Sequence, residues 1–91
     1  MTLTLIQQIV LHIRSVAGYF GMRRVEVTST SLQSIGYDQA SKLLEVEFRS
    51  GAVYHYRDVP YRVARGLASA ASVGAYFMRH IRGAYGYVRV E

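Results

Sequence analysis

Arg62 and Arg65 stand three residues apart, as do Arg79 and Arg82, and on helices that spacing puts each pair on one face. Arginine presents a planar fork of donors that grips phosphate in two places and stacks on bases. If their two helices are neighbours, the four side chains make one basic patch suited to a polyanion. Ten of the eleven basic residues are arginine, Lys42 being the exception, and the net charge is +5. That balance favours an anionic partner without identifying it. A helix face solvated by arginine for compositional reasons alone has the same signature. Tyr61, His80 and Tyr85 lie close in sequence and offer stacking surfaces beside the patch.

Catalysis would have to be built from Glu45, Glu47, His55 and His80. Two carboxylates beside a histidine can exchange protons. Alternation, however, puts Glu45, Glu47 and His55 on an exposed strand face with no nucleophile beside them, and no His-x-x-x-His pair or phosphate-cradling glycine loop accompanies them. The expectation is no catalytic residue, no metal and no cofactor.

The elements that position these residues follow from periodicity. From Lys42 to Arg49 the chain alternates, with Leu44, Val46 and Phe48 on one side and Glu45, Glu47 and Arg49 on the other. Ser50-Gly51-Ala52 leads into a second strand, Val53 to Asp58. A two-residue turn would set Glu45 and Glu47 against Tyr56 and Tyr54. A three-residue loop with Gly51 in the left-handed region sets Phe48 against Tyr54, Val46 against Tyr56, Glu47 against His55 and Glu45 against Arg57. The second register matches hydrophobicity and charge and is the expected one. It places Tyr54 and Tyr56 in phase with the apolar face, as core residues with hydroxyls reaching polar partners at the edge. Base stacking on an open sheet face is the alternative use of such a pair.

Upstream, Val25 to Thr28 and Leu32 to Tyr37 read as a first strand with a bulge or kink, and Gly36-Tyr37-Asp38 leads to the polar turn Gln39-Ala40-Ser41. Downstream, Pro60 is expected at the first helical position with Asp58 serving the free amides, and Val63, Leu67 and Ala70 facing inward. Ser72 caps a second helix that turns Val73, Tyr76 or Phe77, and Ile81 inward, and Gly83 ends it. Tyr85 to Val90 has strand composition.

At the N-terminus, Leu5, Ile6, Ile9, Val10, Ile13, Val16 and Ala17 recur at helical spacing, which predicts an amphipathic helix over 1–21. Gln7, Gln8, His12 and Arg14 interrupt the apolar run, so it does not suit a membrane span. No basic residue precedes it, so it fits a signal peptide poorly. It packs on the sheet, pairs with a partner, or extends outside the domain, Met22 then being an alternative start. The whole reading is α+β: a small antiparallel sheet packed on one face against two short C-terminal helices, plus the N-terminal helix. Ninety-one residues leave room for one small domain, taken as 22–91. With no cysteine, disulfides and thiolate metal sites are excluded, and a reducing cytoplasm is the default location.

The segments SIGYD, the strand ending FRSG, YHY, VP, and SVGAYF before HIR occur in order over residues 29 to 82, and with them the chain resembles the KTSC family. That family is named for its occurrence at the C-terminus of some lysyl-tRNA synthetases and also stands alone as short bacterial proteins. The resemblance marks Tyr54, Tyr56, Gly36, Tyr37, Asp38, Gly51, Pro60 and Phe77 as family positions of structural character, together with Ser31 and Ser34. The family's usual Asn after Tyr-Phe is here Met78. No settled activity comes with the resemblance, but it implies RNA as a partner. A low-specificity RNA-binding domain is thus the expected function. The alternative is a protein-interaction or homo-oligomerising module using the apolar N-terminal helix, with no membrane partner in either case.

Overall fold

Alternating apolar side chains make a strand with one buried side; Leu43–Phe48 follows that pattern and is one of five strands that form one sheet. The computed structural model describes residues 24–91; the helix expected over 1–21, and Met22, lie outside the described residues. The chain runs β1 (Val25–Glu26), β2 (Leu32–Asp38), β3 (Leu43–Phe48), β4 (Val53–Tyr56), α1 (Tyr61–Ser69), α2 (Val73–His80) and β5 (Tyr87–Arg89). All neighbouring strands are antiparallel and follow chain order from β1 to β5. Leu32, Ile35, Leu44 and Val46 from the sheet meet Val63, Leu67, Phe77 and Ile81 from the helical segment in one core. The α+β expectation holds, and the C-terminal segment supplies the fifth strand. Among the described residues no helix is long and apolar enough to cross a membrane.

The start of the sheet differs from the sequence reading. The expected single bulged strand is a hairpin, with Val25 opposite Ile35 and Glu26 opposite Ser34. The Ser29 hydroxyl accepts from the Ser31 and Leu32 amides at 3.3 and 3.2 Å, so the Ser/Thr cluster reverses the chain rather than kinking it. At the next turn the expectation holds: the Asp38 carboxylate accepts from the Ala40 amide at 3.1 Å and the Ser41 hydroxyl at 2.8 Å.

The β3–β4 register is also corrected. Its loop has three residues and holds Gly51 at φ +96°, as expected, but it spans Arg49 to Gly51 rather than Ser50 to Ala52. Phe48 donates its amide to Ala52 and Gly51 donates to Phe48, both at 2.9 Å. Val46 therefore faces Tyr54, Leu44 faces Tyr56, Glu45 faces His55 and Glu47 faces Val53. Arg57 falls beyond the strand. The loop closes around the turn that best places Gly51, and this shifts partners while leaving every side chain on its expected face.

The strand-to-helix corner is held by the sheet instead of by Asp58. Pro60 is the residue before the helix, its carbonyl accepting from Val63 and Ala64 at 3.0 and 3.1 Å. Asp58 sits at φ +60° and takes no part in capping. The Val59 amide donates to Lys42 at 3.0 Å, and the buried Tyr37 hydroxyl donates to the Val59 carbonyl at 2.6 Å. Ser72 caps α2 as expected, accepting from the Ala75 amide at 3.2 Å. In α1 the buried residues are Val63, Ala64, Leu67 and Ala68, so Ala70 lies past the apolar face. The helices approach closely at Gly66, where a Cβ would collide with the Tyr76 hydroxyl.

Candidate functional site

Five aromatic rings converge where β3, β4, β5 and α2 meet. Phe48 packs edge-on to Tyr54 at 5.4 Å and to Phe77 at 5.5 Å. Tyr56 packs edge-on to Phe77 at 5.5 Å and lies nearly parallel to Tyr54 at 6.3 Å. Tyr87 leans on both tyrosines, at 5.4 and 5.5 Å. The sheet fixes this cluster, because Tyr56 stands opposite Tyr87 across the β4–β5 ladder and Tyr54 stands diagonal to Phe48 across β3–β4.

A cleft of about 520 Å³ opens over these rings, and Arg49 and Arg82 are among the residues that line it. Arg49 is held in place: its Nε donates to the Ser29 carbonyl at 2.6 Å and its Nη1 to Gln33 Oε1 at 2.9 Å. Arg82 follows α2 and, among the described residues, donates only a weak bond, to Met78 Sδ at 3.4 Å. Tyr56 is buried and Tyr54 half-buried, and among the described residues neither hydroxyl has a hydrogen-bond partner. The expected polar partners at the sheet edge are absent from the described residues; both tyrosines line the cleft instead. Burial pushes the Tyr56 phenol above its usual pKa, the neighbouring Tyr54 and Tyr87 add to this, and the Arg82 guanidinium opposes it.

The four arginines singled out by spacing are all exposed. Arg62 and Arg65 stand on α1 and Arg79 on the last turn of α2, while Arg82 is drawn to the cleft. Of the expected stacking residues, Tyr61 and Tyr85 pack partly buried against the core. His80 is exposed and lies on Tyr76, ring centroids 4.4 Å apart. Arg49, Phe48 and Tyr87 were not among the sequence candidates, since nothing in their spacing links them to Arg82.

The acid–base residues lie on the far face of the sheet. His55 Nε2 meets Glu45 Oε1 at 2.6 Å, and Arg24 Nε stands 3.4 Å from Glu45 Oε2. The Ser34 hydroxyl donates to Glu47 Oε1 at 2.7 Å. The expected solvated face is thus mostly buried, Glu45 and His55 being 12% and 18% exposed, and its charges are paired within it. His80 stands across the sheet from this group. Among the described residues no group of three His, Cys, Asp or Glu is placed to hold a metal.

The remaining family positions lie at turns and in the core. Gly36 stands opposite Glu45 in the β2–β3 ladder, Ser31 accepts the Arg49 amide, and Phe77 is buried.

Comparison with known proteins agrees with this architecture. The model of the KTSC domain matches residues 28–85. An uncharacterized protein of Stutzerimonas stutzeri is 50% identical over 56 residues, covering 62% of this chain and 79% of that protein. A lysine–tRNA ligase of Trichormus variabilis is 41% identical over 55 residues, which is 60% of this chain but 10% of the ligase. The crystal structure of a KTSC domain protein from Yersinia pestis superposes with a TM-score of 0.74 at 35% identity, covering 76% of this chain and 97% of that one. The family match takes in more than half of the 91 residues, and the chain belongs to the KTSC domain family.

Proposed function

We propose that this chain is a non-catalytic RNA-binding module that holds phosphates through Arg62, Arg65, Arg79 and Arg82 with little sequence preference. One observation carries the reading. From Val59 to Val90 the chain has five arginines and not one Asp or Glu. Among the described residues, the only carboxylate ion pairs of an arginine belong to Arg24. Guanidiniums left without acidic partners on exposed helices favour a polyanion, because binding releases its condensed counterions. The lysine–tRNA ligases that share the domain have tRNA as a substrate, which supports RNA over other polyanions. The alternative of self-association through the apolar N-terminal segment falls on residues outside the described ones.

The test is fluorescence anisotropy of the full chain with labelled single-stranded RNA, structured RNA and duplex DNA across a salt series. Replacing the four arginines with Gln should weaken binding to all sequences alike, and flatten the log–log salt slope by about 0.7 per lost single-strand contact. The fold, followed by circular dichroism, should be unchanged. No binding at low salt, or a strong preference for one sequence, would end the proposal, the latter because it demands base readout.

A further inference from the structure

The geometry points to the aromatic cleft as a site for one nucleotide, its base lying on Tyr87 and Tyr54 and its phosphate between Arg49 and Arg82. This deepens the RNA reading and rests on it for the choice of phosphate among anions, but it uses a different surface from Arg62, Arg65 and Arg79 and shares only Arg82 with them.

Three features specify the occupant. First, the floor is aromatic while one ring remains open: Tyr87 is 55% exposed although it leans on both Tyr54 and Tyr56. A flat π-system of a base stacks on such a ring, whatever its sequence. Second, the lining is cationic and no described residue neutralises it. None of the residues lining the cleft is Asp or Glu, and Arg49 is held by a carbonyl and an amide oxygen, neither of them charged. A phosphate, with three acceptor oxygens and a charge of about −1.5 to −2, can accept from both guanidiniums at once and carries more charge for them to meet than a carboxylate does. Third, the hydroxyls of Tyr54 and Tyr56 lack protein partners among the described residues, and Thr30, Ser31 and Ser50 line the same space. They suit a sugar and a base edge and would be poorly served by an aliphatic ligand. The volume of about 520 Å³ falls within the range of small-ligand sites, roughly 300–1,000 Å³.

Arg49 is the preorganised half of this arrangement. Its two protein hydrogen bonds fix the guanidinium before a ligand arrives, so little side-chain entropy remains to be lost on binding. Arg82, with one weak bond to sulfur, is the half that reorients.

The experiment titrates the full chain with UMP, AMP, uridine and inorganic phosphate, followed by NMR of the tyrosine rings and backbone. Hexauridylate with and without a 5′-phosphate then separates a free nucleotide from an RNA end. UMP should shift resonances of residues 48–56 and 82–87, and bind more tightly than uridine or phosphate alone. Arg82→Gln should weaken UMP by about tenfold or more, the loss expected for one charge-assisted phosphate contact. The Arg62→Gln/Arg65→Gln/Arg79→Gln variant should keep UMP affinity while losing affinity for long RNA. No shift at about 1 mM UMP, or equal UMP binding by Arg82→Gln, would overturn the cleft site. If long RNA still bound in that case, the RNA reading would stand without it. Conversely, UMP binding lost in Arg82→Gln with no RNA bound at any length would leave a mononucleotide site and remove the RNA reading.

Discussion

Tyr56→Ala removes a ring that is 4% exposed, edge-on to Phe77 and in contact with Tyr54 and Tyr87. Deleting a large buried aromatic costs about 3–5 kcal/mol, and the edge-facing partner adds roughly 0.5–1.5 kcal/mol beyond burial. A domain this small has a total of about 5–15 kcal/mol, with small domains at the low end. Each kcal/mol moves the melting temperature by roughly 4–8 °C, so the variant should melt at least about 12 °C lower or fail to fold. Tyr56→Phe separates ring from hydroxyl. That hydroxyl has no protein partner among the described residues, so the change should stay within about 0.5 kcal/mol. Tyr37→Phe is the opposite case. Its hydroxyl reaches the Val59 carbonyl at 2.6 Å at a site where both residues are almost fully buried, and losing it should cost about 1–3 kcal/mol by leaving that carbonyl dry. Urea denaturation followed by circular dichroism measures all three. An unperturbed Tyr56→Ala, or a Tyr56→Phe as costly as Tyr37→Phe, would refute the assignment of the ring to the core and the hydroxyl to the cleft.

Two further outcomes concern the β3–β4 loop and the buried phenols. Gly51→Ala places a side chain at φ +96° with nothing within 4 Å of its Cβ, so the cost is conformational, about 1–2 kcal/mol, and lowers the urea midpoint; an unchanged midpoint would mean a different loop. Burial raises the Tyr37 and Tyr56 phenols above 10.0, with Asp38 adding to the effect at Tyr37. Because the folded pKa exceeds the unfolded one, their contribution is complete below about pH 10 and is lost as pH rises through the folded values. Melting curves should therefore fall more steeply above about pH 10 for the wild type than for Tyr37→Phe/Tyr56→Phe, and parallel curves would contradict it.

Much of the fold was legible because local chemistry decides it. The alternation of Leu44, Val46 and Phe48 determined which face of β3 is buried, and the phase of Tyr54 and Tyr56 put both tyrosines on that same face. Ser72 as a cap, Asp38 as a turn residue and Gly51 in the left-handed region each follow from one side chain, or its lack, acting on nearby backbone. Register was not legible for a related reason. Moving the β3–β4 loop from 50–52 to 49–51 changes every partner but no face, so a period-two pattern cannot distinguish the two. The choice falls to the turn and to packing, which set His55 against Glu45. Similarly, the Ser/Thr cluster at 28–31 is compatible with a bulge or a reversal, and only the pairing of Val25 with Ile35 selects the hairpin. The cleft lay furthest from view. Arg49, Tyr54, Arg82 and Tyr87 are separated by turns and a helix, and their meeting depends on a five-stranded order and a helix packing that no local spacing encodes. Sequence determined the faces, the turns and the excess of arginine; tertiary structure decided which arginine stands over the tyrosines, because only long-range strand pairing brings those segments together.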